Sequence, residues 1–252
     1  MDANVVGAIV FTFTFAGALI GIWLRTVLPK SHFDAESRDT VKVGIGLIAT
    51  MTALVLGLIT ASAKSTFDDV DKTARQSATQ FLALDRELAR YGPETSEIRK
   101  GLQSAIGARI DMIWPQDSSK PVILDPQLMA GSEGLADAIR SLTPQNDAQR
   151  ALQSRALDLA EDLLQSRWFV ITSARASVPL PFLVVLLFWL TITFTSFGLF
   201  APRNALVITV LFVCALSVGS ALFLVLEMDG PFEGLLKVSA DPLRAAHARL
   251  NQ

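Results

Sequence analysis

Residues 56–88 read LGLITASAKSTFDDVDKTARQSATQFLALDREL. The stretch begins apolar, turns charged at Lys64, and has no glycine after Gly57 and no proline. Small or polar residues lead into it at Gly46, Thr50, Ala53, Gly57, Thr60 and Lys64, in steps of three and four that keep them on one face of a helix. Phe67, Val70, Ala74, Ser77, Phe81, Leu84, Leu88 and Tyr91 carry the same spacing past the change in polarity. An unbroken period predicts one helix from about Val43 to Tyr91, stopped at Gly92-Pro93, where glycine and proline end helices for steric reasons. At about 1.5 Å per residue such a rod is roughly 70 Å long, with about 30 Å of it matching the hydrocarbon core of a bilayer.

Composition agrees with a rod that starts in lipid. The 252 residues are 51% hydrophobic and 18% charged, with a mean hydropathy of +0.42, whereas soluble domains carry about a quarter charged residues. Four stretches near 5–24, 43–63, 180–200 and 205–226 hold no Asp, Glu, Lys, Arg or His, and each is about as long as a membrane-crossing helix requires. Met1-Asp2 gives the first stretch no basic leader, so it is expected to be a span and not a cleaved signal. The expected fold is an all-α membrane protein, residues 1–252 forming a single membrane domain of four transmembrane helices. A cytoplasmic helical bundle of about 64–177 is inserted between helices two and three.

Lysine and arginine flank the spans on both sides. Arg25, Lys30, Arg38, Lys42 and Arg203 lie on one side, and Lys64, Lys72, Arg75, Arg167, Arg175, Lys237 and Arg244 on the other. The larger group favours a cytoplasmic placement of both termini and of the long segment by the positive-inside rule. A net charge of −2 argues against a nucleic-acid partner. The single Cys214, inside the fourth stretch, permits no intrachain disulfide.

The second stretch is the least lipophilic, because Gly44, Gly46, Thr50, Thr52, Gly57, Thr60 and Ser62 contribute little to insertion. Its small-residue stripe has two readings, close packing between helices and the wall of a pore whose threonine hydroxyls meet a partly dehydrated ion. Gly17 and Gly21 make a GxxxG pair in the first stretch, and Trp23 lies where an interfacial anchor belongs.

The rest of the long segment also reads as helices. Residues 94–114 place Ile98, Leu102, Ala105, Ile106, Ile110 and Ile113 on one side, and Pro115 ends them. PQDSSKPVILDP, residues 115–126, reads as a loop, and 127–142 as a short helix weakened by Gly131 and Gly134. Thr143-Pro144 then reads as the start of a helix with Ala148, Leu152, Ala156, Leu159, Leu163 and Val170 on one face, pairing antiparallel with the rod.

Enzyme chemistry is missing from the pattern. His32 and His247 lie far apart, and no HExxH, GxSxG, phosphate-loop or GxGxxG motif occurs, so no enzyme, cofactor or metal site is expected. Glu227, Asp229 and Glu233 are the nearest thing to a cation site and read better as a solvated turn at the membrane edge. Spans without ionisable residues argue against a coupled transporter.

ALDLAEDLLQSRWFVITS, LPFLVVLLFWL, FGLFAPRNA and above all LEMDGPFEGLLKVSADPLRAA resemble the bacterial bestrophin-like membrane protein family over nearly the whole chain. The resemblance implies what is known of bestrophins: pentameric anion channels with four spans per subunit, cytoplasmic termini, a cytoplasmic helical region between spans two and three, and a pore lined by span two. Bestrophins narrow that pore with bulky, often aromatic side chains, and this span has no aromatic residue between Val43 and Ala63; Leu54 and Leu58, one turn apart beside the small stripe, are the substitutes. GPFEG at Gly230–Gly234 matches only part of the Asn-Pro-Phe-Gly element of bestrophins, and the acidic calcium clasp of the animal channels does not map onto this chain. The expectation is a homo-oligomeric, pentameric channel of the bacterial inner membrane whose partners are the lipid bilayer, further copies of itself and small inorganic ions. Gly46, Thr50, Ala53, Gly57 and Thr60 would line its pore, with Lys64 at the mouth. The alternative is a non-conducting scaffold or signalling protein whose bundle docks a partner.

Overall fold

The computed structural model describes residues 2–28, 35–114, 130–173, 178–232 and 234–250, excluding the side chains of 35–38, 130–133 and 171. Among these residues no strand occurs. The helices are α1 (Ala3–Val27), α2 (Ala35–Tyr91), α3 (Ser96–Ile113), α4 (Ala130–Arg140), α5 (Asp147–Ser173), α6 (Leu180–Phe200), α7 (Ala205–Asp229) and α8 (Asp241–Arg249). Four of them, α1, α2, α6 and α7, are long and apolar enough to cross a membrane. The expected loop at 115–126 lies outside the described residues.

Helix α2 is a single α-helix across the change in polarity. It begins about eight residues earlier than the apolar pattern indicates. Residues 35–42 are too polar to register in a hydropathy reading, yet contain neither glycine nor proline, and Lys42 meets Asp39 one turn back at 3.1 Å.

By contacts the chain divides into two units, Met1–Thr66 with Ser177–Leu235 and Phe67–Ala176 with Leu236–Gln252, and α2 contributes to both. In the first unit α1 packs on α6 and α7. The GxxxG pair of α1 explains how closely it meets α6: a Cβ on Gly21 would strike the carbonyl oxygen of Thr195, and one on Gly198 that of Ala18, so the two backbones touch. Buried hydroxyls in this apolar setting bond back to their own helix, as Thr14 Oγ1 does to the Val10 carbonyl at 2.7 Å and Thr193 Oγ1 to Trp189 at 2.9 Å. The α6–α7 hairpin is pinned by Asn204, whose Oδ1 accepts from the Val207 amide at 2.8 Å as an N-cap. Arg25 and Arg203 tie it to α1, donating to the Ala201 and Ile22 carbonyls.

The second unit is built on an apolar core of Phe81, Leu84 and Leu88 from α2, Leu102 and Ile106 from α3, Ile139 from α4, Leu163 from α5 and Leu243 from α8. Ser77 bonds to Ser166 at 3.0 Å and Gln149 to the Tyr91 carbonyl at 3.0 Å. As numbering climbs along α2 it falls along α5, so the two run antiparallel, as the sequence predicts. Arg99 grips Asp85 through two nitrogens at 2.7 and 3.0 Å; that hydrogen bond, and secondarily the charge of Asp85, hold the guanidinium above its ordinary value against partial burial. One reading is corrected. Helix α5 starts at Asp147 and not at Thr143-Pro144, because Asn146 Oδ1 accepts the Gln149 amide at 2.8 Å and caps the helix there. The C-terminal residues, unassigned from sequence, form α8, whose Leu243 and Ala246 enter the core together with Leu250 just past its end.

Enlarging Gly198 or Gly21 to alanine should cost about 1–3 kcal/mol by overpacking the α1–α6 crossing. Thermal unfolding of the detergent-solubilised protein should show both variants melting well below the parent; unchanged melting would contradict the backbone contact.

Candidate functional site

Among the described residues, three of the four apolar helices are partly wrapped by this chain and the second is nearly bare. In the apolar stretches of α1, α6 and α7, 39%, 28% and 22% of residues are buried within the molecule; in that of α2 the share is 6%. The covered side of α2 is narrow, with Thr52, Ile59 and Ala63 buried and Ile59 and Ala63 packed with Val225 and Val178. Thr52 Oγ1 is satisfied within the helix by the Ile48 carbonyl at 2.7 Å.

At about 100° per residue the remaining side chains fall into two stripes. Val43, Leu47, Leu54 and Leu58 point away from the covered side, and Leu54 and Leu58 are 73% and 68% exposed. Gly46, Thr50, Ala53, Gly57 and Lys64 form the second stripe, about a quarter-turn round the helix, and all are exposed. Thr60 sits at the border, half-buried. Thr50 and Thr60 donate to the carbonyls of Gly46 and Leu56, at 2.8 and 2.7 Å, leaving oxygen lone pairs as the groups they offer outward. A Cβ added at Gly46 or Gly57 would meet nothing within 4 Å, so no packing among the described residues calls for glycine there. Near its start α2 stands off the α6–α7 hairpin, leaving an apolar cleft of about 570 Å³ lined by Ile45, Gly46, Phe197, Phe200, Val207 and Val210.

The turn after α7 differs from the solvated one the sequence suggests. Glu227 is buried, 5% exposed, and its carboxylate accepts the Leu235 amide across the turn. Gly234, at φ +78°, faces that carboxylate so closely that a Cβ would collide with both oxygens. Asp229 accepts the Val178 amide at 3.0 Å, joining the start of α6 to the end of α7. These two carboxylates organise backbone. Glu233 lies outside the described residues, and no group of three or more metal-ligating side chains occurs among those described. The signal available in the sequence was the paired Gly230 and Gly234 beside an acid at a span end.

Four long apolar helices and a bare second one define a helical membrane protein. The Bestrophin-like domain family matches residues 12–243, and the chain belongs to the bestrophin-like family. No curated protein matches it.

Gly234→Ala should destabilise by about 1–3 kcal/mol, through its left-handed backbone and the Glu227 collision, whereas Gly230→Ala, with open space around it, should be neutral. Melting temperatures of the two variants side by side check the cradle; equal behaviour would remove it.

Proposed function

We propose that the protein is a homo-oligomeric channel, pentameric like bestrophins, that passes anions passively down their gradient. The observation that carries this reading is the bare face of α2. A span poor in strongly lipophilic side chains, covered along only a narrow strip among the described residues, and bearing glycines that pack against none of those residues is suited to meet further copies of itself around a shared axis. In such a ring the face opposite the covered side turns inward, so Leu54 and Leu58 form the constriction. Gly46, Ala53 and Gly57 let neighbouring rods approach and keep the lumen open between them, and Thr50 and Thr60 line it towards their flank. Lys64, where α2 turns polar, stands at the mouth and draws anions electrostatically.

The protein acts as one membrane domain, catalyses no reaction and needs no cofactor or nucleic acid; its partners are lipid, its own copies and small inorganic ions. It resides in the bacterial inner membrane, with both termini and the region of about 64–177 in the cytoplasm.

Liposome flux of the purified protein tests the proposal. Wild type should pass chloride in preference to potassium, and Lys64→Glu should lower that preference on the order of tenfold, the ratio that about 1.4 kcal/mol of electrostatic bias produces. Leu54→Ala together with Leu58→Ala should raise flux. Oligomers that conduct nothing under any of these conditions would favour the scaffold reading, and a preference untouched by Lys64→Glu would remove that residue from the mechanism.

A further inference from the structure

The cleft between the start of α2 and the α6–α7 hairpin is charged at its mouth and apolar below it. Lys42, the last charged residue before the apolar stretch of α2, lines the mouth. Beneath it come Ile45, Gly46 and Ala49 on α2, with Phe197 on α6 and Val207 and Val210 on α7, and Ser196 is the one other polar side chain among the described lining residues. From Lys42 down to Ala49 is about 10 Å along a helix, so the cleft reaches roughly a third of the way into a hydrocarbon core of about 30 Å.

An apolar hollow of about 570 Å³ at this depth is surrounded by acyl chains. Left empty, its walls would forfeit their dispersion contacts, and water entering it would find too few polar partners to stay. A lipid chain fills it from the side, past Leu206 and Val210, which are 71% and 52% exposed. The mouth selects the lipid. Lys42 meets Asp39 at 3.1 Å with both side chains well exposed, a pairing that contributes little, so the ammonium can turn on its flexible stem to a phosphate at headgroup level. Arg25 donates to the carbonyl of Ala201, itself a lining residue, and Arg203, two residues on, donates to the Ile22 carbonyl at 3.1 Å. Each of these bonds uses one of the five N–H donors of a guanidinium. Three cations therefore stand at or beside the mouth, and basic pockets between membrane helices favour anionic headgroups.

We propose that this cleft is a binding site for an acyl chain of an anionic phospholipid, whose phosphate sits at Lys42 with Arg25 and Arg203 beside it. Of the small-residue stripe, Gly46 alone is among the described lining residues, so the site stands whether or not copies of α2 associate.

Native mass spectrometry of the full-length protein in a neutral detergent, titrated with phosphatidylglycerol or with phosphatidylcholine of the same chains, reads bound lipid and subunit number in one spectrum. Wild type should hold one phosphatidylglycerol per chain at a concentration at least about fivefold below that needed for phosphatidylcholine, the ratio expected for one basic side chain at a lipid surface. Lys42→Gln should narrow the ratio about fivefold, and Lys42→Arg should keep it. Val210→Trp fills the cleft from an exposed position and should lose the bound lipid with subunit number unchanged. Monomers that bind phosphatidylglycerol selectively would refute the oligomer and support this site. Equal binding of the two lipids, a preference that survives Lys42→Gln, or lipid retained in Val210→Trp would overturn the proposal. A changed subunit number in Val210→Trp would put a second copy in the cleft and overturn it as well.

Discussion

The bare side of α2 is the constraint to which the rest of the molecule answers. Its backbone is satisfied internally, as any helix in lipid must be, but its side chains are unusual for a helix that meets only acyl chains. Glycines and threonines gain little from lipid, and among the described residues nothing lies over Gly46, Thr50 or Gly57, which are all exposed. Such a surface is stable when similar surfaces close on it. The other three spans meet no such requirement, because they pack on one another: α1 is pressed against α6 through Gly21 and Gly198 and also packs on α7.

Each unit has its own means of staying folded. The membrane-crossing unit relies on backbone contact and on hydroxyls returned to their own helix, devices suited to a medium with no water to compete. The second unit relies on a leucine- and isoleucine-rich core shared by five helices and on a two-pronged ion pair between Arg99 and Asp85, devices suited to an aqueous surround. Helix α2 belongs to both without a break. The turn after α7 uses buried carboxylates for a third purpose, Glu227 and Asp229 each holding a backbone amide where the chain leaves the span.

Much of this was legible in the sequence because hydrophobic periodicity is a strong signal over long helices. The uninterrupted α2, the bounds of α6 and the antiparallel partner in α5 follow from spacing alone. What escaped had a local or long-range cause. The first turns of α2 are polar, so hydropathy does not mark them. Asn146 outcompetes Thr143-Pro144 as a cap by a single hydrogen bond, a choice that composition does not reveal. Helix α8 draws its place from residues far away in the chain, with Leu243 and Ala246 buried in the core that α2, α3, α4 and α5 build. Glu227 looked like a solvated acid because its burial depends on a left-handed glycine seven residues on. For the α2 stripe, the sequence identified the residues, and the structure adds that Leu54 and Leu58 point away from the covered side while the small residues stand about a quarter-turn from them.

Whether copies of α2 close on one another is the claim beneath the functional account, and native mass spectrometry of the protein released from mild detergent tests it most directly. The account predicts one closed assembly of several identical subunits, five in the bestrophin arrangement. A spectrum of monomers under conditions that preserve the folded chain would contradict it, because a single chain with four spans does not enclose a lumen.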